Sequence, residues 1–414
     1  MKFGKRKSCG MWKNRLKIFG LMTAGLAVLL APVDTNAQAL EKHHPDTLES
    51  FSVRDAAEWS ELFYRKGDWF GADGIFSFSM DGKESIGAGK NSQTLLTFSD
   101  TMTGQVDGDT VYNFKMVNNS VAWVEGITPS EETVDILLNR DADGKPVNFF
   151  SPQTPQSKPK EYYWMGDGFI NKEQGGALHI FGYRVVDHSE ASWDFEQVGV
   201  TIITIPGGEI VPPFEAQQQV DAPLYVDVPN LGKGTFGSGV YVNTEWAGAP
   251  NPDGFVYVYG LVDPNKQLVV ARVQPAQFLE FEHWRFWDGE DWNEDINQVQ
   301  PVTNRVSNEL SLTPLPDGRY LLVFQLDGIG EYTAVRVAES PVGPFGPVQK
   351  IRKVPELSDP PGIIPYNAKA HPVLSTEDEL LISYNTISMD YFNDILNYPH
   401  MYRPRFFWLK VGVR

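Results

Sequence analysis

The chain has 414 residues, 42% hydrophobic and 13% aromatic, which excludes a disordered protein and supplies apolar surface for a large core. Its formal net charge of −18 sets it against phosphate backbones and anionic membranes, so nucleic acid is not an expected partner. The 37 Gly and 29 Pro residues are scattered along the chain, as many short strands joined by turns require.

Residues 1–39 read as a secretory signal peptide. Lys2, Lys5, Arg6, Lys7, Lys13, Arg15 and Lys17 form a basic region, and the apolar run from Ile18 to Ala31 is short for a membrane span. Ala37-Gln38-Ala39 follows as a small-x-small cleavage site. An uncleaved N-terminal anchor is the alternative. Cys9 precedes the apolar run, whereas a lipoprotein cysteine would follow it, so lipidation is not expected. Cleavage after Ala39 leaves 28 basic and 52 acidic residues, a net charge of −24, and no cysteine. The expectation is a secreted or periplasmic protein, free of the membrane after cleavage and without disulfides or thiol chemistry.

Residues 40–66 are expected to hold a linker and a short helix. Asp55 and Glu58 have capping-box spacing, and Trp59, Leu62 and Phe63 follow at helical intervals. From Trp69 the pattern turns to strands, and one beat recurs: a turn, a small or acidic residue, an alternating apolar run, a second turn and a more apolar run.

The first beat spans Asp73–Phe78 and Leu95–Asp100, and the second Trp164–Ile170 and Gly175–Phe181. The third spans Gly237–Asn243 and Asp253–Tyr259, the fourth Asn308–Leu312 and Asp317–Phe324, the fifth Ala370–Leu374 and Glu379–Tyr384. Val117–Val124, Val198–Ile205 and Tyr332–Ala338 supply outer strands, and Arg405–Val413 a closing one. The predicted fold is all-β: a five-bladed β-propeller over residues 67–414 with a short N-terminal helix. Each blade would bury its faces only against its neighbours.

Superposing the beats puts Asp73, Asp167, Ser238, Glu309 and His371 at one mouth of the axis. Carboxyls gathered there push one another's pKa values apart, which an acid–base pair requires. Asp73, Asp100, Asp167 and Glu309 are therefore the candidate catalytic residues. Asp before Gly is also ordinary turn chemistry, the reading taken for Asp81, Asp107, Asp143, Asp253 and Asp317. Trp69, Trp164, Asn118, Asn119, Asn243, Glu245, Asn367, His371 and Arg405 complete the site as candidate substrate-binding residues. Aromatic rings can stack on sugar C–H faces, and amides can read hydroxyls. No ligand spacing supports a Ca²⁺ at the axis, so no metal or other cofactor is expected.

The segments GADGIFSFSM, LLTFSDTMTG, MVNNSVAW, AESPVGPFGP, NAKAHPVL and LLISYN, with YRPRFFWL near the end, resemble in their order secreted five-bladed propeller glycoside hydrolases. The resemblance is to a former domain-of-unknown-function family that includes bacterial endo-D-arabinanases. It implies an Asp base in the first blade, matched by Asp73, and a second Asp, matched by Asp167. The implied acid falls on Glu309 or Glu245, while the nearer family pairs Asp73 with Asp100. The expected function is hydrolysis of a polysaccharide, arabinan-type furanosides included, by a monomer acting on poly- or oligosaccharide. A non-catalytic glycan-binding or surface-interaction propeller is the alternative.

Overall fold

The computed structural model describes residues 47–189, 193–208, 212–358 and 362–412. The expected signal peptide and all of the polar linker before Thr47 lie outside them. Among the described residues no helix is long and apolar enough to cross a membrane.

Five antiparallel sheets follow one another around a ring. Blade 1 holds Phe76–Ser79, Gln93–Phe98, Ser120–Glu125 and Val134–Leu137; blade 2 holds Tyr162–Asn171, Ala177–Asp187, Phe195–Ile205 and Gln218–Ala222. Blade 3 has six strands between Tyr225 and Asn293, and blade 4 holds Leu310–Pro314, Tyr320–Gln325, Tyr332–Ala338 and Gln349–Lys353. Blade 5 is built from Ile363–Ala370, Leu380–Ser388, Arg405–Gly412 and Ser50–Asp55. The protein is a five-bladed β-propeller.

The period-2 alternation of the strands assigns side chains to interfaces. Leu321 and Val323 pack with Ile382 and Phe407 of blade 5, while Leu322 and Phe324 pack with Tyr259 and Val270 of blade 3. Phe76 and Phe78 meet Tyr163 and Met165 between blades 1 and 2, and Phe181 meets Phe236 between blades 2 and 3. Leu96 and Phe98 meet Phe406 and Trp408 between blades 5 and 1, which closes the circle. Each such side chain, once fully buried, contributes roughly 1.5–3 kcal/mol.

Three expectations need correction. Ser50–Asp55, read from sequence as linker, is the outer strand of blade 5 and pairs along Arg405–Gly412. Asp55 therefore does not cap the helix: it ends that strand and pairs with Arg352, and the helix Ala57–Ser60 starts without a side-chain cap. Trp59, Leu62 and Phe63 do bury, as their spacing implied. The fifth beat is also displaced. The innermost strand of blade 5 is Ile363–Ala370, and the expected run through Pro372 and Leu374 is a 3₁₀ turn. Pro372 has no N–H to donate to a ladder, and Pro365 and Asn367 disguise the true strand.

The innermost strands of blades 2, 3 and 5 share one irregularity. Register shifts occur between Met165 and Gly168, between Phe236 and Gly239, and between Tyr366 and Lys369. A bulge turns side chains that would alternate between faces toward one direction, here the axis. In blade 1 the chain breaks more fully. Gly67–Ala72 leaves to form a separate three-stranded sheet with Thr101–Asp107 and Thr110–Val117, and Asp73 stands at the break. That sheet packs Phe70 and Met102 on Tyr391, Ile395 and Tyr402 of the long blade-5 connection.

Because Ser50–Asp55 covers the edge of the last strand, a chain beginning at Ala56 should melt at least ~5 °C below the full chain by circular dichroism. Equal melting temperatures would show that the ring closes without this strand.

Candidate active site

Asp73 and Asp100 face each other through the backbone before their carboxyls are considered. Asp73 N donates to Asp100 O at 3.2 Å, and Ser99 N donates to Asp73 O at 2.8 Å. This two-bond clasp joins the entry to one blade-1 strand with the exit from its neighbour. Gly74 permits it: its φ is +62°, and a Cβ there would stand 2.8 Å from Ser99 Cβ. The same Ser99 accepts at Oγ from Met165 N at 2.8 Å, which fixes the clasp to blade 2.

Both carboxyls are deeply set but keep a partial opening to solvent. Burial pushes the Asp73 carboxyl up to about 6, against the opposing pull of the Tyr402 and Tyr366 hydroxyls and the Lys369 ammonium. Burial and the charge of Asp73 push Asp100 further, to about 8. Tyr366 donates to Asp73 Oδ2 at 2.8 Å, and Asn118 Nδ2 donates to Asp100 Oδ1 at 3.0 Å. The Tyr402 hydroxyl also faces Asp73 and the Trp164 N–H faces Asp100, in looser contacts that leave Asp73 Oδ1 and Trp164 Nε1 able to take a better-placed partner. The two carboxyls are close enough to influence each other, the charge of Asp73 holding the proton on Asp100 more firmly.

The other two candidate acids are differently placed. Asp167 accepts from Gly168 N at 2.8 Å and Val240 N at 2.6 Å, so its oxygens clasp blade 2 to blade 3. Burial lifts it to about 7. Glu309 is sealed: it accepts from Asn367 Nδ2 at 2.7 Å and is ion-paired with Lys369. Burial lifts it to about 7 against the pull of that ammonium. Lys369 also lies over the Phe76 ring, 4.2 Å from its centroid. An acid already occupied at both oxygens is poorly placed to protonate a substrate, so Glu309 and Lys369 read as an electrostatic prop for the axis.

Of the expected binding residues, Asn118, Trp164 and Asn367 reach this centre. Asn119 is near it but buried, joining Phe150 and Tyr163 across the first two blades. Trp69 is core, packed on Phe63 and Phe98. Asn243 ends its strand at the far end of the axis and accepts from the Tyr241 hydroxyl, and Glu245 belongs to the loop beyond it. Arg405 braces the blade-5 connection through Met401 O and Glu356. His371 lines the cavity on the axis with Asp167 and Lys369, but its ring is already engaged. Burial drives its pKa down to about 3, and its ring nitrogens bond Ser77 and Ser383. Asn367, in the left-handed region at φ +59°, comes from the strand just before it and bonds Glu309.

Sequence reasoning missed Tyr366, Tyr402, Lys369 and Glu84. Glu84 lines a cavity of about 50 Å³ below the carboxylates with Asp167 and Lys369, and its Oε1 is unpartnered. The irregular YNAK run carried the signal for the bulge residues, but only the folded ring gives it meaning.

A five-bladed propeller with an asymmetric aspartate pair at one mouth defines the class of protein. Residues 56–411 match the family described as Domain of unknown function (DUF5005), and the chain belongs to that family. A search of curated proteins finds no match. Among solved structures, a Bacteroides ovatus protein provisionally designated a hydrolase is 18% identical, covering 89% of this chain and 92% of its own, with a TM-score of 0.64. An exo-β-1,3-galactanase from Phanerochaete chrysosporium, solved with β-1,3-galactotriose, is 9% identical over 83% of this chain and 62% of its own, with a TM-score of 0.42. An α-L-arabinofuranosidase from Podospora anserina, solved with cellotriose, is 13% identical over 84% of this chain and 98% of its own, with a TM-score of 0.41.

The raised carboxyls imply a definite pH dependence. An acid whose folded pKa exceeds its unfolded value keeps its proton in the fold, so its contribution is present at low pH and lost as pH rises through the folded value. With Asp73 at about 6 and Asp100 at about 8, stability should fall between pH 5 and pH 8. Thermal melts should show Asp100→Asn losing less over this range and melting above wild type at pH 8. Parallel pH profiles would contradict the raised Asp100.

Proposed function

We propose that the protein is a glycoside hydrolase in which Asp73 and Asp100 are the working carboxylates. The observation that carries this reading is geometric: two deeply set but partly open aspartates are locked together by reciprocal backbone bonds, where burial raises both carboxyls and the charge of Asp73 raises Asp100 further. An ionised carboxylate beside a protonated carboxyl is what acetal cleavage needs. Asp100 donates its proton to the glycosidic oxygen as the C–O bond breaks. Asp73, ionised, either takes a proton from the attacking water or attacks the anomeric carbon itself. When water attacks, the proton left on Asp73 returns to Asp100 through solvent; when Asp73 attacks, water deprotonated by Asp100 hydrolyses the glycosyl ester, so either course consumes one water and restores both carboxyls. Trp164 Nε1 and Asp73 Oδ1, each held only by a loose contact, can turn to sugar hydroxyls.

The provisional hydrolase designation of the Bacteroides ovatus relative is in keeping with this reading. Arabinan-type furanosides are the first substrates to try, and oligosaccharides the expected partners. We also propose that residues 1–39 direct secretion and are removed, and that the propeller, with Ser50–Asp55 as part of its fifth blade, acts as a monomeric catalytic domain.

The test is a panel of arabinans, galactans and other neutral polysaccharides with wild type, Asp73→Asn and Asp100→Asn, followed by reducing-end release. Wild type should cleave at least one polymer, and each variant should lose roughly 10²-fold or more. Cleavage at undiminished rate by Asp73→Asn would remove it from the mechanism, and binding without cleavage by wild type would favour the glycan-binding reading.

The rate should follow a bell against pH. It should fall below about 6 as Asp73 takes up a proton and above about 8 as Asp100 loses one. A plateau running well beyond pH 9 would exclude Asp100 as the acid.

A further inference from the structure

A line of aromatic residues leads outward from Asp100 along the top of blade 2. Trp164 stands beside Asp100, and its ring meets Phe195 edge-on, with centroids 4.7 Å apart. Phe195 neighbours Trp193 at 6.4 Å, and Trp193 Nε1 donates to Met389 O at 3.1 Å on the blade-5 connection. Tyr162, 6.1 Å from the Trp164 ring, donates its hydroxyl to Asp187 at 2.7 Å. The outer two rings stay open: Trp193 is 43% exposed and Phe195 37%. Rings held this way have only two side-chain torsions to fix and carry a large apolar face, so they are costly to leave in water without a partner. Carboxylate and hydroxyl groups lie alongside at Asp187 and Tyr162, which gives the strip both stacking faces and hydrogen-bonding edges.

We propose that Trp164, Phe195 and Trp193 form the platform for the sugar chain on the leaving-group side of the cleaved bond. This rests on the reading of Asp100 as the proton donor: the departing oxygen must lie against Asp100, so the residues beyond it touch the departing chain. Three features select a neutral sugar chain as the occupant. The platform is continuous with the carboxyl pair, the Trp164 N–H at its inner end faces Asp100, against which the departing oxygen must lie, and the strongly acidic body disfavours an anionic ligand. The spacing along the strip extends over several rings, so the platform serves chains longer than a disaccharide.

The experiment separates the platform from the chemistry. Binding of neutral oligosaccharides of two to about eight sugars is measured by calorimetry in the Asp73→Asn protein, alone and combined with Phe195→Ala or Trp193→Ala. Tyr112→Ala, 51% exposed on the separate three-stranded sheet, is the control. Either platform substitution should weaken binding of the longer chains about tenfold, with little change for the disaccharide, and the control should change nothing. Equal affinity for long chains in all variants would overturn the platform. So would failure of every oligosaccharide to bind, or binding of alkyl glycosides or lipid vesicles alone. Length-dependent binding lost with Phe195, in a protein that cleaves nothing, would keep the platform and reject the hydrolase reading.

Discussion

Everything at the axis depends on the cost of holding carboxyls away from water. Asp73, Asp100, Asp167 and Glu309 all lie where burial raises them, and the Lys369 ammonium eases three of the four. The arrangement is stable because each acid meets a different solution to the same penalty. Glu309 takes the ion pair, Asp167 takes two backbone N–H groups, and Asp100 keeps its proton. Asp73 takes the Tyr366 hydroxyl at one oxygen and a looser approach of Tyr402, which leaves it ionisable and still open to a further partner.

The ring makes that distribution possible. No single blade could gather these groups, since each innermost strand contributes one or two side chains and the interblade packing fixes their angles. The bulges at Asp167, Ser238 and Asn367 aim side chains inward that a regular strand would alternate. Blade 1 goes further by splitting, which opens its mouth and lets the extra three-stranded sheet and the blade-5 connection bring Tyr402 and Tyr391 toward the pair. Function and fold meet in these departures from regularity.

Much of the architecture was legible in the chain because propeller strands announce themselves by period-2 alternation and turn residues. Four of the five repeated beats coincide with an innermost hairpin, and Tyr332–Ala338 matches its strand end to end. The fifth failed because Pro365 and Asn367 break the pattern that the bulge needs. Ser50–Asp55 failed because its partner lies at the other end of the chain, and no local signal marks such a pairing. Asp73 stood out by its apolar setting. Its pairing with Asp100 follows from the clasp between Asp73 and Ser99, which depends on three-dimensional register. Trp69 and Asn119 looked like ligand groups, but an aromatic or amide at a strand end serves a core equally well, and only burial distinguishes the two uses.

The central claim is that Asp73 and Asp100 divide one proton unequally and influence each other. Carbon-13 NMR titration of their carboxyl carbons measures this directly. The account predicts one carboxyl titrating near 6 and the other near 8, and a lower value for Asp100 once Asp73→Asn removes the neighbouring charge. Two carboxyls titrating near 4, each indifferent to loss of the other, would contradict it.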